Sequence, residues 1–316
     1  MPMPDIVVMF FLLGLVAGLL KSDLTIPKAA YDTLSLLLML TIGLKGGMAL
    51  HGNISLSVIQ DLLAVALLGA LIPLILMPLL MRVVCLSTAD SASMAAHYGS
   101  VSAGTFAVAL AYAEGLQLTI SPEVTLYLVM MELPAIMVAI FLYRRFSGAK
   151  KGAATPSIWH ETLTNRGVIL LVGGVIIGLL YGPQDGAAVT DLLTNAFKVV
   201  LALFLLEMGL TAAETLRPIP WHHWRLLCFA VFAPFVLAAM GMGMGIVLGL
   251  PAGSVLILTA LTASASYIAA PAAIRAAIPK ANIGLAMLAA LGLTFPVNVI
   301  LGIPLYYQLV QWLGVA

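Results

Sequence analysis

Hydrophobic residues fall in long blocks along this chain instead of alternating with polar ones. Ten blocks, at 6–20, 28–50, 57–84, 89–113, 123–146, 167–181, 190–212, 221–248, 252–277 and 283–313, are separated by short stretches carrying proline, glycine and charge. A helix that crosses a bilayer needs about 20 mostly apolar residues, so each block is read as one span, and 316 residues leave only short connectors between them. The pattern predicts an all-α polytopic membrane protein of ten transmembrane helices.

Composition agrees. The chain is 62% hydrophobic and 9% charged, with a mean hydropathy of +1.13, well outside the soluble range. The first block is led by Asp5 and followed by Lys21, the reverse of a cleavable signal peptide, so it is expected to remain as an anchor.

Charge adds sidedness. If the spans alternate, one set of connectors and helix ends holds Lys21, Lys28, Arg82, Arg144, Arg145, Lys150, Lys151, Arg166, Arg217, Arg225, Arg275 and Lys280. The opposite set holds Asp5, Glu114, Glu123, Asp185 and Asp191 and no Lys or Arg. The positive-inside rule then predicts a bacterial cytoplasmic (inner) membrane protein with both termini outside and the 147–165 connector in the cytoplasm. No basic patch of the kind nucleic acid requires is present. Cys85 and Cys228 fall near cytoplasmic ends, where a disulfide is disfavoured, and are expected to be buried packing residues.

The two halves repeat. Ile-Gly-Leu at 42–44 matches Met-Gly-Leu at 208–210, and Ser100-Val101-Ser102 matches Ser264-Ala265-Ser266. Pro73 matches Pro234, and Pro134 matches Pro296, all in the same order. Five spans per half is an odd number, so the halves, 1–146 and 166–316 about a 147–165 linker, are expected to cross the membrane in opposite senses. Such inverted repeats are common in secondary transporters, which bind substrate near the midplane between discontinuous helices.

The fourth block places Gly99, Ser100, Ser102, Gly104 and Thr105 at mid-depth, and the ninth places Thr262, Ser264, Ser266 and Pro271 there. Helix breaks are expected at both, because unwound backbone is tolerated at that depth only where it is buried in protein or lines a cavity. Two breaks crossing would aim helix N-termini at one site, which favours an anion. The same residues also suit close helix packing, with hydroxyls bonded back to their own backbone.

Glu132, just before Leu133-Pro134 in the fifth block, is a functional candidate because an ionisable group at that depth is costly. A carboxylate beside a proline-freed carbonyl suits Na+ or a proton. Asn298 stands in the corresponding region of the tenth block, and Thr105 and Ser264 complete the candidate cation ligands. Pairing of Glu132 with Lys45 or His97 is the structural alternative. Lys45 and Glu207 are expected to pair with each other, and Lys198 to snorkel. His222 and His223, between Trp221 and Trp224, fit an interfacial belt better than a metal site.

These residues resemble the sodium-dependent bicarbonate transporters first recognised in cyanobacteria. The resemblance spans nearly the whole chain and rests on Ile-Gly-Leu-Lys-Gly-Gly-Met-Ala at 42–49, Tyr-Gly-Ser-Val-Ser-Ala-Gly-Thr at 98–105, Glu-Leu-Pro-Ala-Ile at 132–136, and Pro271 with the segment 275–282. It implies core and gate domains, a homotrimer, and a bicarbonate site beside Na+ where the fourth and ninth spans cross. Gly99, Ser100, Ser102 and Thr105 match the first break, and Ser264 and Ser266 the second. Two departures stand out: Tyr267 and Glu132 occupy positions where the cyanobacterial members carry aspartate. The central loop is short, which weakens the expectation of the PII-like regulatory partner.

The sequence thus points to Na+-coupled symport of bicarbonate or a similar small monovalent anion by alternating access, with no cofactor beyond the coupling ion and membrane lipid as its surroundings. Proton coupling through Glu132 to a small organic anion is the alternative within transport. An intramembrane serine hydrolase using Ser102 and His97 is disfavoured, since residues five apart on one helix do not face each other. A channel is disfavoured because no span carries a ring-forming selectivity sequence.

Overall fold

The computed structural model describes residues 5–147, 164, 166–217 and 219–315. The expected 147–165 linker, with Lys150 and Lys151, lies outside the described residues except at Ser147 and Thr164. All regular structure among the described residues is helical.

Among the described residues, seven helices are long and apolar enough to cross a membrane: α2 (Lys28–Leu50), α3 (Leu56–Val84), α6 (Pro122–Ser147), α7 (Arg166–Asp185), α8 (Ala187–Thr215), α9 (Trp221–Val247) and α12 (Ile283–Trp312). α1 (Ile6–Leu19) is apolar but shorter. The fourth and ninth blocks are each divided, into α4 (Thr88–Gly99) and α5 (Ala103–Gly115), and into α10 (Ala252–Thr262) and α11 (Ala269–Ala277).

Prolines shape the long helices. A proline inside a helix removes one N–H and crowds the carbonyl a turn earlier. α12 absorbs Pro296 by widening its turns over Leu288–Thr294 and again over Asn298–Gly302, the usual form of such a bulge. α6 carries Pro134 without leaving the α form. α7 runs regularly to Tyr181, where the sequence pattern ends it, and then turns at Gly182, whose φ of 62° and ψ of −170° are not helical.

Two groups of helices result. α1 packs along α8 and α2 along α7. Gly43 and Gly47 of α2 meet Gly174 and Gly178 of α7, and a Cβ on Gly47 would stand 2.1 Å from the Val175 carbonyl oxygen. Small residues four apart on both helices let the backbones touch, which is how helices associate where lipid removes the hydrophobic incentive. The other group gathers around the divided helices: α3 and α6 against α4, and α9, α5 and α12 against α10. Residues 91–110 and 252–267 are buried without interruption, so the divided helices form the centre of the molecule.

Candidate functional site at the crossing of the divided helices

α4 ends at Gly99, where a Cβ would stand 2.7 Å from the Pro73 ring and 2.8 Å from the Ala135 methyl. Only glycine lets α4 close onto the proline-bearing stretches of α3 and α6. Ser100 and Ser102 are then extended, and Ser102 caps α5 by accepting a hydrogen bond from Thr105 N at 3.1 Å, as N-cap serines do.

The second break answers the first. Ser266 N donates to both the His97 and Ser100 carbonyls, at 2.7 and 2.8 Å. Ser102 N donates to Ser264 Oγ at 2.8 Å, while Ser264 Oγ donates to the Leu261 carbonyl at 2.7 Å. Ser266 Oγ accepts from Ala270 N at 3.3 Å. Ser102 N, Ser266 N and the carbonyls of His97 and Ser100 are therefore paired between the two breaks, as buried peptide groups require. Tyr267 reaches back over the first break: its hydroxyl lies 2.1 Å from where a Gly104 Cβ would stand, and its ring packs edge-on against Phe295.

Beside this crossing lies a cavity of about 20 Å³, room for roughly one water molecule. Its polar wall is made by Ser102, Ser266, Tyr267 and Glu132, and its apolar wall includes Met39 of α2 and Val168 and Leu171 of α7. Glu132 is buried and has neither an ion pair nor a hydrogen bond among the described residues. The alternatives of a pair with Lys45 or His97 are not met. Lys45 forms its ion pair with Glu114 and stands 4.6 Å from the centre of the Phe197 ring, and His97 Nδ1 is 2.7 Å from the Ser93 carbonyl.

Of the sequence-derived candidates, Glu132, Ser102 and Ser266 come together on one cavity wall. Gly99, Ser100, Thr105 and Ser264 belong to the breaks but stand outside that wall. Asn298 donates to the Ala260 carbonyl at 3.2 Å and is buried on α12, away from the cavity. The expected Lys45–Glu207 pair is replaced by Lys45–Glu114, and Glu207 instead accepts from Thr211 one turn on at 3.3 Å. Lys198 is exposed, as snorkelling requires.

Cys85 and Cys228 are exposed, not buried. Cys85 closes the widened end of α3 in the left-handed conformation (φ 62°) and accepts a hydrogen bond from Arg225 at 2.8 Å.

Sequence reasoning missed the wall contributed by α7 and the chain from Tyr98 through Thr294 to the Ala230 carbonyl, at 2.6 and 2.7 Å. The signal for the second was present: Thr294 stands two residues before Pro296, as Glu132 does before Pro134.

Irregular backbone buried at the centre of a helical membrane protein, beside an unpaired carboxylate and hydroxyls, is the architecture of a transporter site. The comparisons agree with that class. The chain belongs to the Na+-dependent bicarbonate transporter superfamily, whose family description matches residues 6–311. A comparison with curated proteins gave no match.

Proposed function

We propose that this protein is a Na+-coupled symporter of bicarbonate or a similar small monovalent anion, working by alternating access. The observation that carries the reading is Glu132, a buried carboxylate without a partner among the described residues, lining one cavity wall with Ser102 and Ser266 beside the two helix breaks. A carboxylate so placed is costly, and an arriving Na+ offsets that cost. The bound cation then makes the site receptive to an anion held by the serine hydroxyls.

The architecture of the proposal is ten spans in a five-plus-five inverted repeat: the seven long helices, α1, and the pairs α4–α5 and α10–α11. α1, α2, α7 and α8 form the gate, and the helices around the crossing form the core, which moves against the gate as a rigid body. The cavity between α6, the breaks and α2 with α7 sits on that boundary, and its small volume fits an occluded state. With one Na+ per monovalent anion the cycle is electroneutral; each additional Na+ adds about 2.3 kcal/mol per 100 mV. Both termini face outward and the molecule assembles as a homotrimer in the inner membrane, which accessibility labelling of each terminus and mass photometry test.

The deciding experiment is uptake of labelled bicarbonate into proteoliposomes with and without an inward Na+ gradient at fixed pH. Na+-stimulated uptake is expected. Uptake indifferent to Na+ but driven by a proton gradient would instead make Glu132 the proton carrier.

A further inference from the structure

Three buried side-chain polar atoms along α4 and its C-terminal end have no hydrogen-bond partner among the described residues: Ser93 Oγ and His97 Nε2 on the helix, and Ser100 Oγ at the residue that follows it. The spacing of Ser93 and His97, i and i+4, puts them on one face of the helix, and Ser100 follows where the chain leaves it. All three residues are at most 1% exposed. Serine and threonine hydroxyls inside membrane helices ordinarily bond back to a carbonyl one turn earlier, as Thr259 and Thr262 of α10 do, to Val255 and Leu258. Ser93 and Ser100 do not.

The imidazole is oriented. The Ser93 carbonyl can only accept, so the His97 Nδ1 at 2.7 Å carries the proton, and Nε2 of the neutral ring is a bare acceptor. Along α4 the face therefore presents a donor hydroxyl, an acceptor nitrogen and a second donor hydroxyl. A buried polar group without a partner has lost its hydration with nothing in return. Three in succession along α4 and its C-terminal end point to a partner present in another conformation.

Both ends of the row are closed by the second half of the chain. At the break, Ser266 N is bonded to the His97 and Ser100 carbonyls. At the start of α4, Asp90 Oδ1 accepts from Asn282 N at 2.7 Å, joining α4 to the link between α11 and α12. Separation of α11 and that link from α4, a step inside the core in addition to its rigid-body movement against the gate, would release both closures.

We infer that the Ser93–His97–Ser100 face of α4 is a wall of the path between the central cavity and the membrane side on which Thr88 lies, shut here and open in the alternate conformation. This rests on the transport reading and specifies its solute: one bearing both acceptor oxygens and a donor O–H. Bicarbonate has both. Its carboxylate oxygens accept from Ser100 and then Ser93 as it passes, and its O–H donates to His97 Nε2, an interaction that an anion without a proton to donate cannot make.

Single cysteines at 93, 97 and 100, in a background carrying Cys85→Ser and Cys228→Ser, test this with a membrane-impermeant thiol reagent applied from each side of sealed vesicles. Ala95→Cys, on the opposite face of α4 and fully buried, is the control. The expected result is labelling at all three positions from the Thr88 side, about tenfold faster than at Ala95→Cys, slowed when bicarbonate and Na+ are added together. His97→Phe in the unmodified background is expected to raise the KM for bicarbonate, with His97→Gln, which restores an acceptor, less affected. Equal labelling of both faces, or none at any of the three in vesicles that still take up bicarbonate, overturns the path. Face-specific labelling in vesicles with no bicarbonate uptake supports the path and places the failure in the choice of solute.

Discussion

α6 and α12 each carry a polar side chain two residues before a proline, Glu132 before Pro134 and Thr294 before Pro296, and the protein treats them in opposite ways. Thr294 donates to the Ala230 carbonyl and takes a hydrogen bond from Tyr98, so it ties α12 to α4 and α9 with every hydroxyl function used. Glu132 is also buried and has no hydrogen bond or ion pair among the described residues. A group that the protein satisfies itself fixes packing, whereas one that it leaves unsatisfied is available to a solute. The helices follow suit: α12 has widened its turns on both sides of its proline, while α6 runs through as an α-helix and presents its carboxylate to the cavity.

The comparison is broken most directly at Glu132. Glu132→Gln keeps the shape and removes the charge, and is expected to lower the Na+ dependence of uptake at least about 10-fold, in line with the loss of a metal-binding group. Its thermal unfolding in detergent without Na+ should be unchanged or shifted upward, because a buried unpaired charge is gone. A variant that transports with unaltered Na+ dependence would take Glu132 out of the coupling.

Ser264→Ala carries the comparison to the crossing, where a side chain of the second break serves the backbone of the first. It orphans Ser102 N, with an expected loss of about 1–3 kcal/mol, read as a lower midpoint in denaturant or heat. Thr294→Val then probes the satisfied counterpart of Glu132. Removing its hydroxyl strands Tyr98 and the Ala230 carbonyl, for about 1–2 kcal/mol, and should leave Na+ dependence intact. If it abolishes that dependence while stability holds, Thr294 serves the cation as Glu132 does.

The smallest effect is expected at Lys45→Met. The Lys45–Glu114 pair is partly exposed, with side chains at 22% and 31%, so its loss should change stability by less than about 1 kcal/mol. A larger loss would make this pair a strut between α2 and α5.

Block lengths and polar interruptions carried much of the fold. The long helices start and stop within a few residues of the positions that proline, glycine and charge mark out, and the divisions after Gly99 and Thr262 fall in the small, hydroxyl-rich segments expected to unwind. Such features are local: a run of apolar residues cannot be anything but buried or lipid-facing, and a glycine–serine cluster cannot hold a helix in the absence of packing. The site was legible to the extent that it is made of rare residues at membrane depth, as with Glu132, Ser102 and Ser266. What joins them was not. That Lys45 meets Glu114 and not Glu207, that Ser264 bonds the backbone of Ser102, and that α7 closes the cavity opposite Glu132 depend on how helices distant in sequence are rotated against one another. Helix rotation is set by interdigitating side chains across a whole interface, a sum over many contacts with no single residue for its signature. The sequence therefore determined which groups are expensive to bury, and only the tertiary structure decided which of them are left waiting for a partner.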